Sequence, residues 1–219
     1  MSSLFIVATP IGNLEDITQR ALRVLSEVQG VVAEDTRVTT RLLRHYHIEK
    51  KLSAWHEHSD DRAWQRLKEM LASGASLAYV TDSGTPGLSD PGGRLVELVR
   101  AELPEVQIVP VPGPSALAAA VSVAGIPLRE FLFLGFLPHK KGRQTKLAEI
   151  GVSRRPVILY ESVHRIRKLL DELVRFDKQV IVCRELTKQF ETVYRGSPAD
   201  VAAKMSAGET KGEFVVIIY

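Results

Sequence analysis

Leu77-Ala78-Tyr79-Val80 runs straight into Thr81-Asp82-Ser83-Gly84-Thr85-Pro86-Gly87-Leu88-Ser89-Asp90-Pro91-Gly92-Gly93. The first four residues are a short apolar run of the kind a fully buried parallel strand requires. The next thirteen hold four glycines and two prolines. That combination fixes a particular backbone path and lets it approach a ligand closely. Most connections between elements need only about 4–6 residues, so a loop of this length and chemistry points to function rather than to a plain surface turn. Leu95, Leu98 and Val99 then mark a helix. A strand, a long functional loop and a helix form one unit of an α/β fold.

The same unit recurs on either side. Upstream, Leu4-Phe5-Ile6-Val7-Ala8 is a strand that stops at Thr9-Pro10-Ile11-Gly12-Asn13. Asp16, three residues before Gln19, has capping-box spacing and predicts a helix whose apolar face is Ile17, Ala21, Leu22, Leu25 and Val28. Gly30 ends that helix, and Val31-Val32-Ala33 is a strand leading into Glu34-Asp35-Thr36-Arg37. Val38, Leu42, Leu43 and Tyr46 are spaced for a second helix. Ser59 is the expected cap of a third, with Trp64, Leu67 and Leu71 inward. Downstream, Val106–Val109 reads as a strand, and Ser115 as the cap of a helix over 116–124. Beyond Pro127 the texture changes. Strands are expected at 131–134, 156–160, 180–183 and 214–218, and helices near 143–150, 164–175 and 198–205. The reading is two α/β domains, 1–113 and 114–219, with the break lying in the 113–128 region. The first has a mostly parallel sheet and the second a mixed one.

Composition agrees with a globular chain: 219 residues, 45% hydrophobic, 25% charged, net charge +3. No apolar run approaches the roughly 20 residues of a membrane span, and Met1–Asn13 has no basic leader region. A single cysteine, Cys183, suits a reducing, cytoplasmic setting. The charge is unevenly spread. Residues 1–128 hold 12 Lys and Arg against 15 Asp and Glu, whereas 129–219 hold 17 against 11. The second half therefore leans toward an anionic partner.

In an open parallel sheet, ligands bind beyond the carboxyl ends of the strands. Thr9–Asn13, Glu34–Arg37, Thr81–Gly93 and Val111–Ser115 each follow a predicted strand and should gather at one edge. None is a dinucleotide-binding or nucleotide-triphosphate loop. Pro112-Gly113-Pro114-Ser115 reads either as a simple helix start or as backbone N–H groups offered to a carboxylate. Arg37, Arg41 and Arg44 form one helical stripe, with Arg37 nearest the ligand edge. His139-Lys140-Lys141-Gly142-Arg143-Gln144-Thr145-Lys146 carries four cations without an acid, suited to holding phosphates without reading bases. His56 and His58 would point oppositely in an extended segment, and no third ligand is near, so no metal is expected.

Eight motifs occur in order: Ala8–Leu14, Ala33–Arg37, Asp82–Pro86, Ser89–Gly92, Pro112–Ser115, Tyr160-Glu161-Ser162, Arg184–Lys188 and Lys211-Gly212-Glu213. Together they resemble the small-subunit ribosomal RNA methyltransferases of the tetrapyrrole-methylase-like class. The resemblance implies S-adenosylmethionine bound in the cleft between two domains, a homodimer, and 2′-O-methylation of a cytidine ribose in 16S ribosomal RNA. It implies Pro10, Asp82, Gly84, Thr85, Leu88, Ser89, Ser115 and Ala116 as cofactor residues of the first domain and the start of the next. Tyr160, Leu186, Glu213 and Phe214 would serve from the second. Typical relatives continue past the last strand, whereas this sequence ends at Tyr219.

A ribose hydroxyl is a very weak acid, so a nearby carboxylate or cation would assist its attack. Asp35 and Arg37 are the catalytic candidates, with a structural ion pair or helix cap as the alternative. Two rival functions stand beside this one. A small-tetrapyrrole methyltransferase would want a broad apolar cleft rather than cationic loops. Such relatives usually carry Gly-Asp-Pro where Gly84-Thr85-Pro86 stands here. A non-catalytic binder of the cofactor or of RNA is the second.

Overall fold

The chain was described through a computed structural model, which covers residues 2–205 and 212–219. It divides into two compact units, Met1–Ser115 and Ala116–Tyr219. The first contains β1 (Ser3–Val7), α1 (Gln19–Glu27), β2 (Gly30–Ala33), α2 (Thr36–His45), β3 (Leu52–Ala54), α3 (Asp61–Ala72), β4 (Leu77–Val80), α4 (Gly92–Glu102) and β5 (Gln107–Val111). Its five strands lie in the order β3-β2-β4-β1-β5, all parallel.

β4 shows why this sheet is covered on both faces. All four of its residues are buried, and they alternate between two cores, as the period-2 geometry of a strand requires. Leu77 and Tyr79 pack with Trp64, Leu67 and Leu71 of α3 and with Leu95 and Val99 of α4. Ala78 and Val80 pack with Ala21, Val24 and Leu25 of α1 and with Leu43 of α2. A strand buried on both faces has no polar position to alternate with, hence the continuous apolar run in the sequence.

The second unit contains α5 (Ala116–Val123), β6 (Leu132–Phe136), α6 (Arg143–Val152), β7 (Val157–Ser162), α7 (Ile166–Leu173), β8 (Val180–Arg184), β9 (Thr192–Gly196), α8 (Pro198–Lys204) and β10 (Glu213–Ile218). Its strand order is β6-β7-β10-β8-β9. Only β6 and β7 are parallel neighbours; the other pairings are antiparallel. The sheet is therefore mixed, as the sequence suggested. Val157, Leu159, Val180, Val182, Val216 and Ile218 form one core with Leu147 and Ile150 of α6, Leu169 and Leu170 of α7, and Val201 of α8. Arg195 donates from its guanidinium to the carbonyls of Val123 and Ala124, satisfying groups left unbonded at the end of α5.

Several local expectations are corrected. Asp16 does not open α1; it closes a short 3-10 turn, Leu14–Asp16, capped by Asn13. Thr18 is the true cap, its hydroxyl accepting the Ala21 N–H at 3.1 Å. Asp60 rather than Ser59 caps α3, accepting from Ala63 N–H, while Ser59 Oγ accepts from His56 N–H. Two strands went unrecognised: β3, only three residues long, and β9, whose Thr192-Val193-Tyr194-Arg195-Gly196 lies at the sheet edge with one side chain buried. Neither carries the apolar run that marks a central strand.

The capping assignment has a direct test. Thr18→Ala should lower stability by about 1 kcal/mol, the usual loss for an N-cap hydroxyl, whereas Asp16→Ala should leave it nearly unchanged. Urea unfolding of both variants checks this. A larger loss at Asp16 would restore the capping-box assignment.

Candidate functional site

The four loops that follow the first-unit strands meet at the carboxyl edge of the sheet, joined by named bonds. Thr9 and Gly84 form an isolated antiparallel bridge, N–H to carbonyl in both directions at 2.9 and 3.1 Å. The buried Thr9 hydroxyl also donates to the Thr81 carbonyl. Gly84 has φ +83°, and a Cβ there would stand 3.3 Å from the Ile11 side chain, so both conformation and space favour glycine. Thr85 Oγ1 donates to the Pro114 carbonyl at 2.9 Å. Thr85 is thereby tied to the 112–115 turn, and the neighbouring Gly84 to Thr9, the residue before Pro10.

On the other side of the loop, Glu34 Oε2 accepts from Thr81 Oγ1 at 2.5 Å and from the Asp82 N–H at 3.2 Å. Asp82 Oδ1 accepts the Asp35 N–H at 3.0 Å. Partial desolvation of the carboxyl, then the neighbouring Glu34 carboxylate, raises the pKa of Asp82 above its ordinary value although the residue as a whole is exposed. Asp35 caps α2 by accepting the Arg37 N–H at 2.8 Å, and it takes three further bonds from the guanidinium, two from Nε and one from Nη2. Those bonds to Arg37 hold its carboxyl down at about 2. The Arg37 side chain is 87% exposed despite the pair. Arg41 and Arg44 are exposed further along α2.

Asp90 is visible in the sequence only as part of the Ser89–Gly92 motif and is not among the expected site residues. Its two carboxylate oxygens accept from the backbone N–H groups of Gly87, Leu88 and Gly92, at 2.7–3.1 Å. The loop is folded around this one charge, with Ser89 in the left-handed region at φ 71°. Gly92 has no room for a side chain: a Cβ would stand 2.8 Å from the Tyr79 ring and 2.9 Å from Asp90 Oδ1. Leu88 and Ser89 therefore owe their placement to Asp90. Its signal was an acidic residue two positions before the first residue of a helix, within a glycine-rich turn. Glu34 was visible only as part of a motif.

In the second unit, β7 and β8 both run antiparallel to β10, and β6 runs parallel to β7. The carboxyl ends of β6, β7 and β8 and the start of β10 thus share one edge. Tyr160, Leu186, Glu213 and Phe214 all fall there. Tyr160 meets Phe133 and Phe136 edge-on at 5.1 and 5.7 Å between centroids. Phe214 is buried, opposite Glu161 and Arg184. Lys188 bridges Glu185 and Glu213 at 2.9 and 2.8 Å. Burial alone would raise the Glu185 carboxyl, but the Lys188 ammonium and the Glu213 N–H outweigh it and hold the carboxyl below its usual value. Glu185 and Thr187 both have positive φ, 51° and 66°, which non-glycine residues adopt at a cost. Ser115 and Ala116 are the last residue of one unit and the first of the next. Lys211 lies outside the described residues.

The basic run after β6 is corrected in one respect. Arg143 is not on its surface: the side chain is 3% exposed and ion-paired to Glu172 and Glu161. Lys146 pairs with Glu149 at 2.7 Å. His139, Lys140 and Lys141 are the exposed members ahead of α6. Among the described residues, no three His, Cys, Asp or Glu side chains gather as a metal-ligand set, and no helix is long and apolar enough to cross a membrane.

Comparison with known proteins places the chain in a family. The family model of the tetrapyrrole (corrin/porphyrin) methylases matches residues 3–202. The chain is 46% identical over 222 aligned residues to ribosomal RNA small subunit methyltransferase I of Xylella fastidiosa, covering 99% of this chain and 81% of that relative. Among solved structures it resembles the methyltransferase CobJ, with a TM-score of 0.72 at 19% identity over 100% of this chain and 94% of that one. It also resembles uroporphyrin-III C-methyltransferase of Thermus thermophilus complexed with S-adenosyl homocysteine, with a TM-score of 0.65 at 17% identity, over 99% and 97% of the two chains. Such low identities establish a shared fold alone, whereas the 46% relative extends the likeness along nearly the whole sequence. The chain belongs to the tetrapyrrole (corrin/porphyrin) methylase family and, within it, to the ribosomal RNA small subunit methyltransferase I group.

Proposed function

We propose that this protein transfers a methyl group from S-adenosylmethionine to the 2′-hydroxyl of a cytidine ribose in the 16S RNA of the small ribosomal subunit. The observation that carries this reading is the joining of the Thr9, Glu34–Arg37, Asp82–Gly92 and Pro114 segments at one carboxyl edge, in a chain whose relatives are named as ribosomal RNA small subunit methyltransferases. The tetrapyrrole methyltransferases that share the fold do so at under 20% identity, which says nothing of their substrates here. Balance is simple: one C–S bond breaks, one C–O bond forms, and the hydroxyl proton is released.

The residues suit such a cofactor. Asp82 and Ser83 are exposed polar groups beside the half-buried Thr85 and Leu88 and the buried Pro10 and Ile11. That mixture fits a ligand with an ammonium, ribose hydroxyls and an apolar base. The proposed cofactor set is Pro10, Asp82, Gly84, Thr85, Leu88, Ser89, Ser115, Ala116, Tyr160, Leu186, Glu213 and Phe214. S-adenosylmethionine supplies an electrophilic methyl on a sulfonium. The protein's part is to hold the hydroxyl in line behind it and to stabilise the oxygen as it loses its proton. Asp35, ionised far below neutrality, is a weak base; its role in this proposal is to aim Arg37. The Arg37 guanidinium faces the developing alkoxide or an adjoining phosphate. We further propose cytoplasmic residence and, from the family resemblance, a homodimer, for which light scattering should give twice the mass of one chain.

Calorimetry should show binding of S-adenosylmethionine that EDTA does not alter. Asp90→Asn replaces an acceptor with an amide that faces backbone N–H groups. It should weaken that binding by about tenfold or more, as loss of a charged acceptor does. Unchanged affinity would mean that the Asp90 loop does not touch the cofactor.

Single-turnover methylation of purified small subunits at saturating concentration tests the catalytic pair. Arg37→Ala should slow the step by about 10²–10³, the typical loss of one oxyanion donor, with cofactor affinity intact. Arg41→Ala and Arg44→Ala should mainly weaken subunit binding. Equal, small effects at all three positions would leave Arg37 with no catalytic part.

The Asp35 carboxyl should titrate near 2 by carbon-detected NMR, and return toward 3.8 in Arg37→Ala. Because the folded value is depressed, the pair's stabilisation is complete above the ordinary value of 3.8 and fades as pH falls through about 2. A normal titration in the wild type would dissolve the proposed pair.

A further inference from the structure

The second unit buries a cluster of charges that the reaction above does not use. Glu161 lies on β7 at the position where Val157 and Leu159 have set an apolar row, and its side chain is fully buried. Its Oε1 accepts from the Ser162 N–H and is ion-paired with Arg165 Nε at 2.8 Å, while that Nε donates to Ser162 Oγ. Its Oε2 makes no hydrogen bond and stands 3.7 Å from Arg143 Nη1. Arg143 in turn holds Glu172 of α7 through Nε and Nη2, at 2.9 and 2.7 Å. A buried network with one oxygen left short of a partner is poor evidence for stability, since apolar residues of similar volume would do as well or better. It calls for a positional explanation.

The direction of the remaining guanidinium N–H groups supplies one. Arg165 Nη1 donates to the Leu137 carbonyl at 2.8 Å, and Arg143 Nη1 reaches the Pro138 carbonyl at 3.5 Å. Leu137 and Pro138 are the residues by which the chain leaves β6. Four residues after Pro138, Gly142 at φ +84° turns the chain back into α6, whose first residue is Arg143 itself. Both ends of the segment His139-Lys140-Lys141 are therefore tied to one rigid ionic cluster. The three side chains are exposed, and neither lysine forms an ion pair among the described residues. This unit also carries the chain's excess of positive charge.

We propose that the Arg165–Glu161–Arg143–Glu172 network is a positioning device that holds His139-Lys140-Lys141 as a preformed grip on the phosphodiester backbone of RNA. Exposed lysines normally lose considerable rotamer and loop freedom on binding. Anchoring both ends of the segment removes much of that cost in advance. Arginine suits the task because its planar fork can hold a carboxylate and a carbonyl together, which a lysine ammonium does less well. The inference rests on the RNA-substrate reading given above.

The test is equilibrium binding of the full chain to purified small ribosomal subunits across a salt series, with cofactor affinity measured separately. Lys140→Ala with Lys141→Ala should weaken binding and reduce the salt slope by about 1.4, at roughly 0.7 per phosphate contact on single strands. Glu172→Gln should weaken binding by about three- to tenfold through the cost of re-ordering the segment, with cofactor affinity unchanged. Added to the double lysine variant, it should cost nothing further, because its effect passes through those lysines. Arg165→Lys, which keeps the charge and loses the fork to Leu137, should repeat this pattern and speed amide hydrogen exchange at 139–142. An additive loss, or no loss from either network variant, would overturn the positioning role. An unchanged salt slope in the double lysine variant would overturn the grip while the RNA reading stands. Failure of the wild type to bind subunits at all would overturn both.

Discussion

The parallel pairing of β4 with β1 on one side and β2 on the other is the constraint on which the first unit depends. It aligns Val7, Ala33 and Val80 in neighbouring register, so the residues just beyond them must emerge at the same edge. Thr9, Glu34 and Thr81 follow at once and bond to one another there. The loop after β4 then has little freedom. Thr9 holds it on one flank, Glu34 and Asp35 on the other, and Asp90 gathers its far end. A chemistry-bearing edge is in this sense a consequence of sheet topology, with glycines placed where the backbone must turn against its usual preference.

Charged residues in this protein fall into two physical classes that look alike in sequence. Asp35 and Arg37 are paired at the surface, where solvent leaves the guanidinium largely open. Arg143 and Glu161 are paired where solvent is excluded, and there each charge must be met by an opposite charge and by directed N–H groups. The first kind of pair can present a cation to a partner. The second kind holds backbone in place. Between them lie Glu185, Lys188 and Glu213, a half-exposed triad that fixes the turn after β8 against the start of β10. It holds Glu185 at positive φ, and the Thr187 N–H is held separately by donating to Glu191 Oε2 at 2.6 Å.

Much of the fold was legible because its signals are local or periodic. The apolar runs of β1, β2, β4, β8 and β10 are what strands buried on both faces need, and the strand–loop–helix rhythm fixes the class. Elements without such a run, β3 and β9, left no comparable trace. Helix starts were misread where two plausible caps stood close together. Asp16 and Ser59 both have capping chemistry, yet Thr18 and Asp60 are the residues whose oxygens face the orphan N–H groups. The candidate site followed the same division. The sequence named the segments that converge. It did not reveal Asp90 as their organiser, because nothing in a sequence says where four backbone N–H···O contacts will point.

The sequence by itself determined the α/β class, the mixed second sheet, the carboxyl-edge loops and the family, because these rest on patterns carried by contiguous residues. Only the tertiary structure decided which charges are available to a partner. Arg143 sits among Lys140, Lys141 and Lys146 in the chain, and in sequence the four are equivalent. Folding brings α7 and β7 against the start of α6, so Glu172 and Glu161 close around Arg143 and leave the two lysines before it in water. Burial is set by residues distant in sequence, and a cation's role follows from its burial.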